Sequence, residues 1–176
     1  MANCLTTIYK YKMLYPMKGW IAVFLSNSAQ KLLKCGNTAG KRRNREPMKR
    51  DTHLDINEAL CGTAVKIEED YCLIRLNATE AMKVDAFGLI HGGFVFGAAD
   101  YAAMLAVNHP NVVLGSAEVQ FLKPLKVSET IFAEAKVVES KGRKKLVSVS
   151  VNVEDKEVFK GTFTCFVLDR HVLDVP

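Results

Sequence analysis

Residues 92–108 limit most strongly how this chain can fold, because they read GGFVFGAADYAAMLAVN with a single charged side chain, Asp100. When the segment is wound as a helix, apolar groups lie on every side, and a helix of this kind is buried all round. Its many alanines and glycines keep the helix slim, so that other elements can pack closely against it. The sequence therefore predicts a central helix that the rest of a domain encloses.

Segments with the period of β-strands stand on both sides of this helix. Residues 63–67 and 71–76 alternate and are rich in β-branched side chains, which predicts a hairpin around the acidic turn at 68–70. Four longer predicted strands follow the helix, at residues 112–122, 130–139, 146–154 and 158–168. Because the turns near 141–144 and 155–156 are short, we expect antiparallel neighbours. The prediction is an α+β domain whose antiparallel sheet wraps one long helix.

Two local predictions complete this part of the chain. Asp51 or Thr52 can cap a short helix that runs to about Leu60, with Gly62 as its stop. In the third long strand, the valines share one face and polar residues share the other, which predicts a sheet covered on one side only. The valines are Val147, Val149, Val151 and Val153.

A motif surrounds the start of the long helix. The sequence GLIHGG at residues 88–93 is followed on the same helix by ADYA at residues 99–102. Over about residues 62–168 this pattern resembles the phenylacetate-type acyl-CoA thioesterases of the hot-dog superfamily, and the chain is also similar to hot-dog virulence factors of spiral gut bacteria. The resemblance implies the hot-dog fold and a coenzyme A thioester as substrate or ligand, with no other cofactor.

Asp100 is the first candidate catalytic residue. A lone carboxylate on an apolar helix carries a large desolvation cost, which predicts a raised pKa. The resemblance implies that this acid activates a water molecule as general base or attacks the thioester carbonyl itself. The alternative is a structural acid that pairs with a buried amide or caps a neighbouring strand.

Three residues before and at the helix start are further candidates. Gly92 and Gly93 let a ligand approach backbone N–H groups, which favours an oxyanion site. His91 can bind the ligand or simply hold the turn into the helix. The alternative for both glycines is that they serve only this tight turn.

The spacing of these candidates predicts a homodimer. Gly92 and Asp100 are eight residues apart, or about 12 Å along one helix. An oxyanion donor and an attacking group have to converge within about 3 Å of one reacting group. Two antiparallel helices related by a two-fold axis can set Asp100 of one chain against Gly92 of the other. Association of two dimers into a tetramer is left open.

The sequence also departs from the related thioesterases. Asp85 stands where they often carry an amide that helps to hold the thioester or the water. Met104 replaces a Ser or Thr that some of them use to position water. Ser116 is a candidate polar contact on the next strand, or points to solvent, and Lys123 is a candidate for the phosphates of coenzyme A.

The first 47 residues differ from the rest in charge. They hold nine Lys or Arg against the single acid Glu46, whereas residues 48–176 hold 15 basic and 18 acidic side chains. We divide the chain into a basic leader at 1–47 and a hot-dog domain at 48–176. Three interpretations of the leader stay open: translation that truly starts at Met48, a disordered basic arm, or a targeting peptide. Nucleic-acid binding by the domain is not expected.

The apolar runs and the cysteines of the sequence indicate in which part of the cell the protein is found. No apolar run approaches the roughly 20 residues that a membrane helix needs. The five cysteines are widely spaced, with no C-x-x-C pair and no metal-binding pattern. We therefore expect reduced thiols, no metal, and a cytoplasmic protein.

Two function classes compete. The first is an acyl-CoA thioesterase that hydrolyses its ligand at the dimer interface. The second is an acyl-CoA-binding sensor without catalysis, because residues 114–121 resemble the matching part of the malonyl-CoA-responsive repressor of lipid synthesis, although no helix-turn-helix precedes them here. A dehydratase is a third option, but the Asp/His pairing with an adjacent Asn-Pro that such enzymes use is missing.

Overall fold

The computed structural model describes residues 8–13 and 48–174. Two helices are present in this part of the chain, α1 (Glu58–Cys61) and α2 (Gly92–Val107), and a 3-10 turn spans Glu80–Met82. The strands are β1 (Ile8–Met13), β2 (Thr63–Glu68), β3 (Tyr71–Asn77), β4 (Val112–Phe121), β5 (Thr130–Lys141), β6 (Lys144–Val153) and β7 (Lys156–Val167). The predicted strands agree with β2 to β7 within two residues at each end.

The strands form one sheet in the order β1-β4-β7-β6-β5-β3-β2. β1 runs parallel to β4, and every other pair of neighbours is antiparallel. α2 contacts all six strands from β2 to β7, so the sheet curves around this helix. A six-stranded antiparallel sheet around one long helix is the hot-dog fold that the resemblance implied.

The core lies between the helix and the inner face of the sheet. The alanines of α2 are fully buried. Leu105 and three of the four valines of the inner face of β6 are fully buried as well, and each of these larger side chains contributes about 1.5–3 kcal/mol relative to an exposed one. Val153 is only partly buried. Ser148 on the other face of β6 is exposed. The one-sided sheet is confirmed. The helix is enclosed over its second half, as predicted, whereas its first half is not buried all round, since Gly93 and Gly97 keep some exposure. The fully buried residues are Ala98, Ala99, Ala102, Ala103, Leu105, Val147, Val149 and Val151.

The short helix before the hairpin was predicted wrongly at its start. α1 has four residues, and its cap is Asn57, whose side-chain oxygen accepts a hydrogen bond of 3.0 Å from the N–H of Ala59. Neither Asp51 nor Thr52 caps a helix. Gly62 does end α1, with a φ of 95° that few other residues adopt.

Residues 49–51 fasten this segment to α2, which explains why they are not helical. Asn108 ends α2 in a left-handed conformation, and its side chain bonds to the backbone of Lys49 and of Asp51 at 2.9 Å each. The guanidinium of Arg50 donates at 2.7 Å to the buried hydroxyl of Tyr101. These contacts outweigh the local preference for a longer helix.

The division of the chain at residues 47 and 48 stays a prediction. Residues 1–47 lie outside the described part of the chain, except for the backbone of β1. Within the described residues, no helix is long and apolar enough to cross a lipid bilayer.

Candidate active site

Asp100 lies near the middle of α2. Its Oδ1 atom is enclosed and has no hydrogen-bond partner among the described residues. Burial raises the pKa of Asp100 from its ordinary value of 3.8 to about 6, as expected for a carboxylate that has lost its water without gaining a partner. The predicted direction is confirmed. A group that titrates near neutrality suits general acid–base chemistry.

Two thiols are the electrostatic neighbours of this carboxylate. Burial, and next the negative charge of Asp100, raise the pKa of Cys165 in β7 to about 12 and also raise the pKa of Cys61 in α1. Both thiols therefore stay protonated at neutral pH. Cys61, Cys72 and Cys165 are all free.

One face of α2 is only partly covered by the chain's own sheet, and on this face the Phe96 ring packs against a strand, with its centroid 5.7 Å from that of the Phe163 ring in β7. Gly93, Phe96, Gly97 and Asp100 are spaced as neighbours along a helix, and each keeps some exposure. A Cβ atom built on Gly97 would meet no heavy atom within 4 Å. We call these four residues the open face of α2. There is room on this face for a ligand or for another chain.

The backbone N–H groups of Gly92 and Gly93 at the start of α2 differ in their hydrogen bonding. The Nδ1 atom of His91 accepts a hydrogen bond of 2.9 Å from the N–H of Gly93. His91 is therefore the N-cap of the helix, and the Gly93 N–H already has a partner. The N–H of Gly92 makes no hydrogen bond within the described part of the chain, as is usual for the first residue of a helix.

Gly92 also lies against an aromatic pair. A Cβ atom on Gly92 would stand 2.8 Å from Cε1 of Phe121. The Phe121 ring in turn packs edge-on against Phe159, at 5.1 Å between ring centroids. Close packing is therefore one reason for a glycine at this position, in addition to a ligand's need to approach the backbone.

Asp100 and Gly92 do not meet within one chain. They are eight residues apart on one continuous helix, so about 12 Å of helix axis separates them. The separation expected from the sequence is therefore present. Among the described residues, no other carboxylate-bearing side chain belongs to α2.

Asp85 has a well-defined local role. Its Oδ1 atom accepts hydrogen bonds from the N–H groups of Phe87 and Leu89, at 2.9 and 3.0 Å. The side chain therefore holds the loop that leads into α2. Contact with a ligand at Asp85 stays a prediction. Met104, the other departure from the related thioesterases, is buried in the core.

Ser116 and Lys123 are not brought to Asp100 within the chain. Ser116 is exposed on β4, on the face of the sheet opposite to the buried Ala117. Lys123 lies just after β4, and its N–H donates to the carbonyl of Val158. It lines a cleft of about 610 Å³ together with Lys156, Glu129, Glu154 and other residues. The balanced charge of these four side chains gives the cleft no clear preference for phosphate.

Sequence reasoning missed two residues near this site. Gly97 was taken only as a small residue, although a glycine inside a helix costs about 1 kcal/mol and usually has a reason in packing or function. Phe87 was not considered, yet its side chain is 90% exposed. An aromatic residue between Asp85 and Gly88, both typical of turns, was the available signal.

Known proteins share the sequence pattern and the fold of this chain. Residues 87–160 match the thioesterase superfamily. An uncharacterized protein of Pyrococcus horikoshii is 50% identical and superposes with a TM-score of 0.73, over 73% of this chain and 99% of its own. A sigma28-regulated virulence protein of Campylobacter jejuni is 30% identical with a TM-score of 0.68, over 70% of this chain and 95% of its own.

The chain belongs to the thioesterase superfamily. A mutant of the phenylacetic acid degradation protein PaaI of Thermus thermophilus is also similar, at 28% identity and a TM-score of 0.58, over 63% of this chain and 96% of its own. The family and the kinship with a virulence protein of a spiral gut bacterium, both predicted from the sequence, are thus confirmed.

Two curated proteins are similar to this chain over part of their own, longer sequences. Methylthioribose-1-phosphate isomerase of Aquifex aeolicus is 54% identical over 119 residues, which are 67% of this chain and 26% of that protein. Transcription factor FapR of Thermoanaerobacter sp. is 30% identical over 95 residues, which are 54% of this chain and 48% of FapR. The chain thus spans about a quarter of the first relative and about half of the second.

Proposed function

We propose that this protein is an acyl-CoA thioesterase that works as a homodimer in the cytoplasm. The observation that carries the proposal is the enclosed, unpaired carboxylate oxygen of Asp100, a residue of the open face of α2. An unpaired buried charge is costly, and such groups are retained where chemistry needs them. The free thiols of Cys61, Cys72 and Cys165 support a reducing compartment.

The reaction needs two chains because of the separation along α2. A two-fold axis at Phe96, which stands midway between Gly92 and Asp100, sets Asp100 of one chain against the partner's Gly92. Gly97 next to this axis leaves space for the approach of the second helix. Each dimer then has two equal sites.

The chemistry follows from these two groups. The ionised carboxylate of Asp100 takes a proton from a water molecule, whose oxygen attacks the thioester carbonyl. The partner's Gly92 donates its N–H to the oxyanion of the tetrahedral intermediate. Collapse of the intermediate breaks the carbon–sulfur bond, and the departing thiolate receives the proton from Asp100. The products are a carboxylic acid and coenzyme A.

The contacts that bind coenzyme A form a separate part of the proposal. Lys123 is exposed near the start of α2, since Leu125 two residues on accepts a hydrogen bond from Ile90. We assign Lys123 to the phosphates of coenzyme A because of the resemblance to acyl-CoA thioesterases, since the charge of the cleft that it lines is balanced and does not itself favour phosphate. Asp85 acts through the loop that it holds, and Ser116 faces away from the site in its own chain.

The second candidate is a sensor that binds an acyl-CoA without cleaving it. The 30% identity to transcription factor FapR favours this candidate, and so does the burial of Met104 where some thioesterases place a hydroxyl near the water. Both candidates use the same dimeric site. They differ in whether Asp100 activates a water molecule or only contacts the ligand.

One experiment tests the proposal and separates the candidates. The full-length chain is incubated with acetyl-, malonyl-, hexanoyl-, palmitoyl- and phenylacetyl-CoA, and free thiol is followed by a colorimetric reagent. We expect thiol release with at least one of them, and its loss in Asp100→Asn with binding retained. Asp55→Asn, a change at an exposed aspartate, is the matched control. Binding without thiol release by the wild type would establish the sensor instead.

A further inference from the structure

Phe87 is an exposed aromatic residue on the loop between the 3-10 turn and α2. Its side chain is 90% exposed, and Val84 in the same loop is 51% exposed. Exposing a phenylalanine forfeits the free energy of burying a large apolar surface, about 1.5–3 kcal/mol. Single exposed apolar residues are common, so the surroundings of Phe87 decide whether this exposure has a purpose.

The backbone of this loop is fixed by several hydrogen bonds. Asp85 accepts from the N–H groups of Phe87 and Leu89, and the N–H of Val84 donates to the carbonyl of Leu89 at 2.8 Å. The N–H of Val127 donates at 2.9 Å to the carbonyl of Gly88, whose φ of 80° suits glycine. The chain therefore builds a defined turn that presents an aromatic ring outward.

The loop leads directly into the candidate active site. The N–H of His91 donates to the carbonyl of Met82 at 3.0 Å, and Gly92 follows at once as the first residue of α2. Phe87 stands five residues before Gly92. The loop that carries Phe87 is therefore joined directly to the proposed oxyanion donor.

We propose that the Phe87 ring is buried against a second copy of this chain, where it forms part of the wall of the site to which the partner contributes Asp100. This inference rests on the proposed two-chain site. A second copy is the favoured occupant because the partner must already come within contact distance of Gly92. The apolar loop is then continuous with the open face of α2 as one contact surface.

The ring contributes to the site in two ways under this proposal. It adds apolar area to an interface that otherwise consists largely of small residues, Gly93 and Gly97, and the half-buried Phe96. It also excludes water from the side of the site nearest the helix start, which strengthens the hydrogen bond from Gly92 to the oxyanion. Asp85 is the positioning residue that holds the ring in place.

Sedimentation measurements over a range of concentrations test the inference on the full-length chain. We expect Phe87→Ala to raise the dimer dissociation constant about 10- to 100-fold for each of the two rings lost per dimer. Phe87→Leu keeps much of the apolar area and is expected to fall between the two. Val138→Ala, a change at a 59% exposed side chain on β5, is the matched control and is expected to have no effect.

The possible results distinguish the proposed two-chain site from the role of Phe87. A wild-type chain that is monomeric while active overturns the two-chain site itself. A wild-type dimer that Phe87→Ala leaves intact overturns the inference about Phe87 and leaves the proposed function standing. If the dimer is intact but acyl-CoA binding is weakened, the ring contacts the ligand, and the interface assignment is wrong. Because the side chain is exposed in the single chain, circular dichroism is expected to show an unchanged fold.

Discussion

The Nδ1 atom of His91 accepts a hydrogen bond of 2.9 Å from the backbone N–H of Gly93 at the first turn of α2. The imidazole therefore acts as the N-cap of the helix, and the N–H of Gly93 is not available to a ligand. The N–H of Gly92 is left for an incoming oxyanion. The His-Gly-Gly motif therefore combines a cap and a donor in three consecutive residues.

Substitution of His91 separates capping from chemistry. We expect His91→Ala to lower the free energy of unfolding by about 1 kcal/mol, the usual value of an N-cap, and His91→Asn to restore it. Both are measured by urea unfolding, with thiol release followed in parallel. If His91→Asn unfolds like the wild type but releases no thiol, the imidazole takes part in the reaction and our assignment of it is wrong.

Substitution of Asp100 reports on the cost of its burial. The pKa of Asp100 is raised in the folded chain, so the protonated form is favoured there. This cost is absent below about pH 4 and grows between about pH 4 and 6, because the carboxylate then ionises in the unfolded chain but not yet in the folded one. Above about pH 6 the cost is constant. Asp100→Asn cannot ionise. We therefore expect it to match the wild type in stability near pH 4 and to exceed it by about 1–3 kcal/mol above pH 7, measured by urea unfolding across this range. Equal stability at every pH would mean that the carboxylate is well solvated.

The same titration sets the pH dependence of turnover. Activation of water needs the ionised carboxylate, so kcat/KM for thiol release is expected to rise with pH and to reach half of its plateau near pH 6. Steady-state rates between pH 4.5 and 8 check this, with Asp55→Asn as a control that keeps the profile. A profile that is flat over this range would remove Asp100 from the role of general base.

Much of the fold was predictable because strong local patterns agree with it. α2 is apolar on every side, and β6 alternates valine with polar residues, so period and burial point to the same structure. The start of α1 was not predictable, because Arg50 and Asp51 are held by Tyr101 and Asn108 more than fifty residues away. Contacts at that distance leave no periodic signal in the sequence.

The candidate site was predictable only in part for a related reason. A motif and a helical repeat give the distance from Gly92 to Asp100 directly. The hydrogen bond that removes the N–H of Gly93 from the site depends on the side-chain torsion of His91, and the exposure of Phe87 depends on the path of a loop. Neither can be derived from residue spacing.

Gly92 is constrained by the Phe121 ring as well as by its proposed role as donor, and a pair of variants distinguishes the two. Gly92→Ala places a Cβ atom 2.8 Å from the ring, so we expect a loss of roughly 1–3 kcal/mol in stability and a large loss of thiol release. The double variant Gly92→Ala with Phe121→Leu gives the new methyl group more room. Alanine keeps the backbone N–H, so the variants test whether a ligand needs the free space beside it. If the double variant recovers both stability and turnover, the absence of a side chain at position 92 serves packing only. We expect it to recover stability alone.

Substitution of Gly97 tests the two-chain site without disturbing the fold of the single chain. Because a Cβ atom at this position meets nothing within 4 Å, Gly97→Leu is expected to fold normally, and its better helix propensity adds up to about 1 kcal/mol to the stability of α2. The new side chain fills the space into which the second helix has to fit. We therefore expect a monomer without thiol release, seen by light scattering and the thiol assay. Ala59→Leu, a comparable change on the exposed helix α1, is expected to leave both the dimer and the activity intact. A Gly97→Leu protein that remains an active dimer would show that the open face of α2 meets no partner.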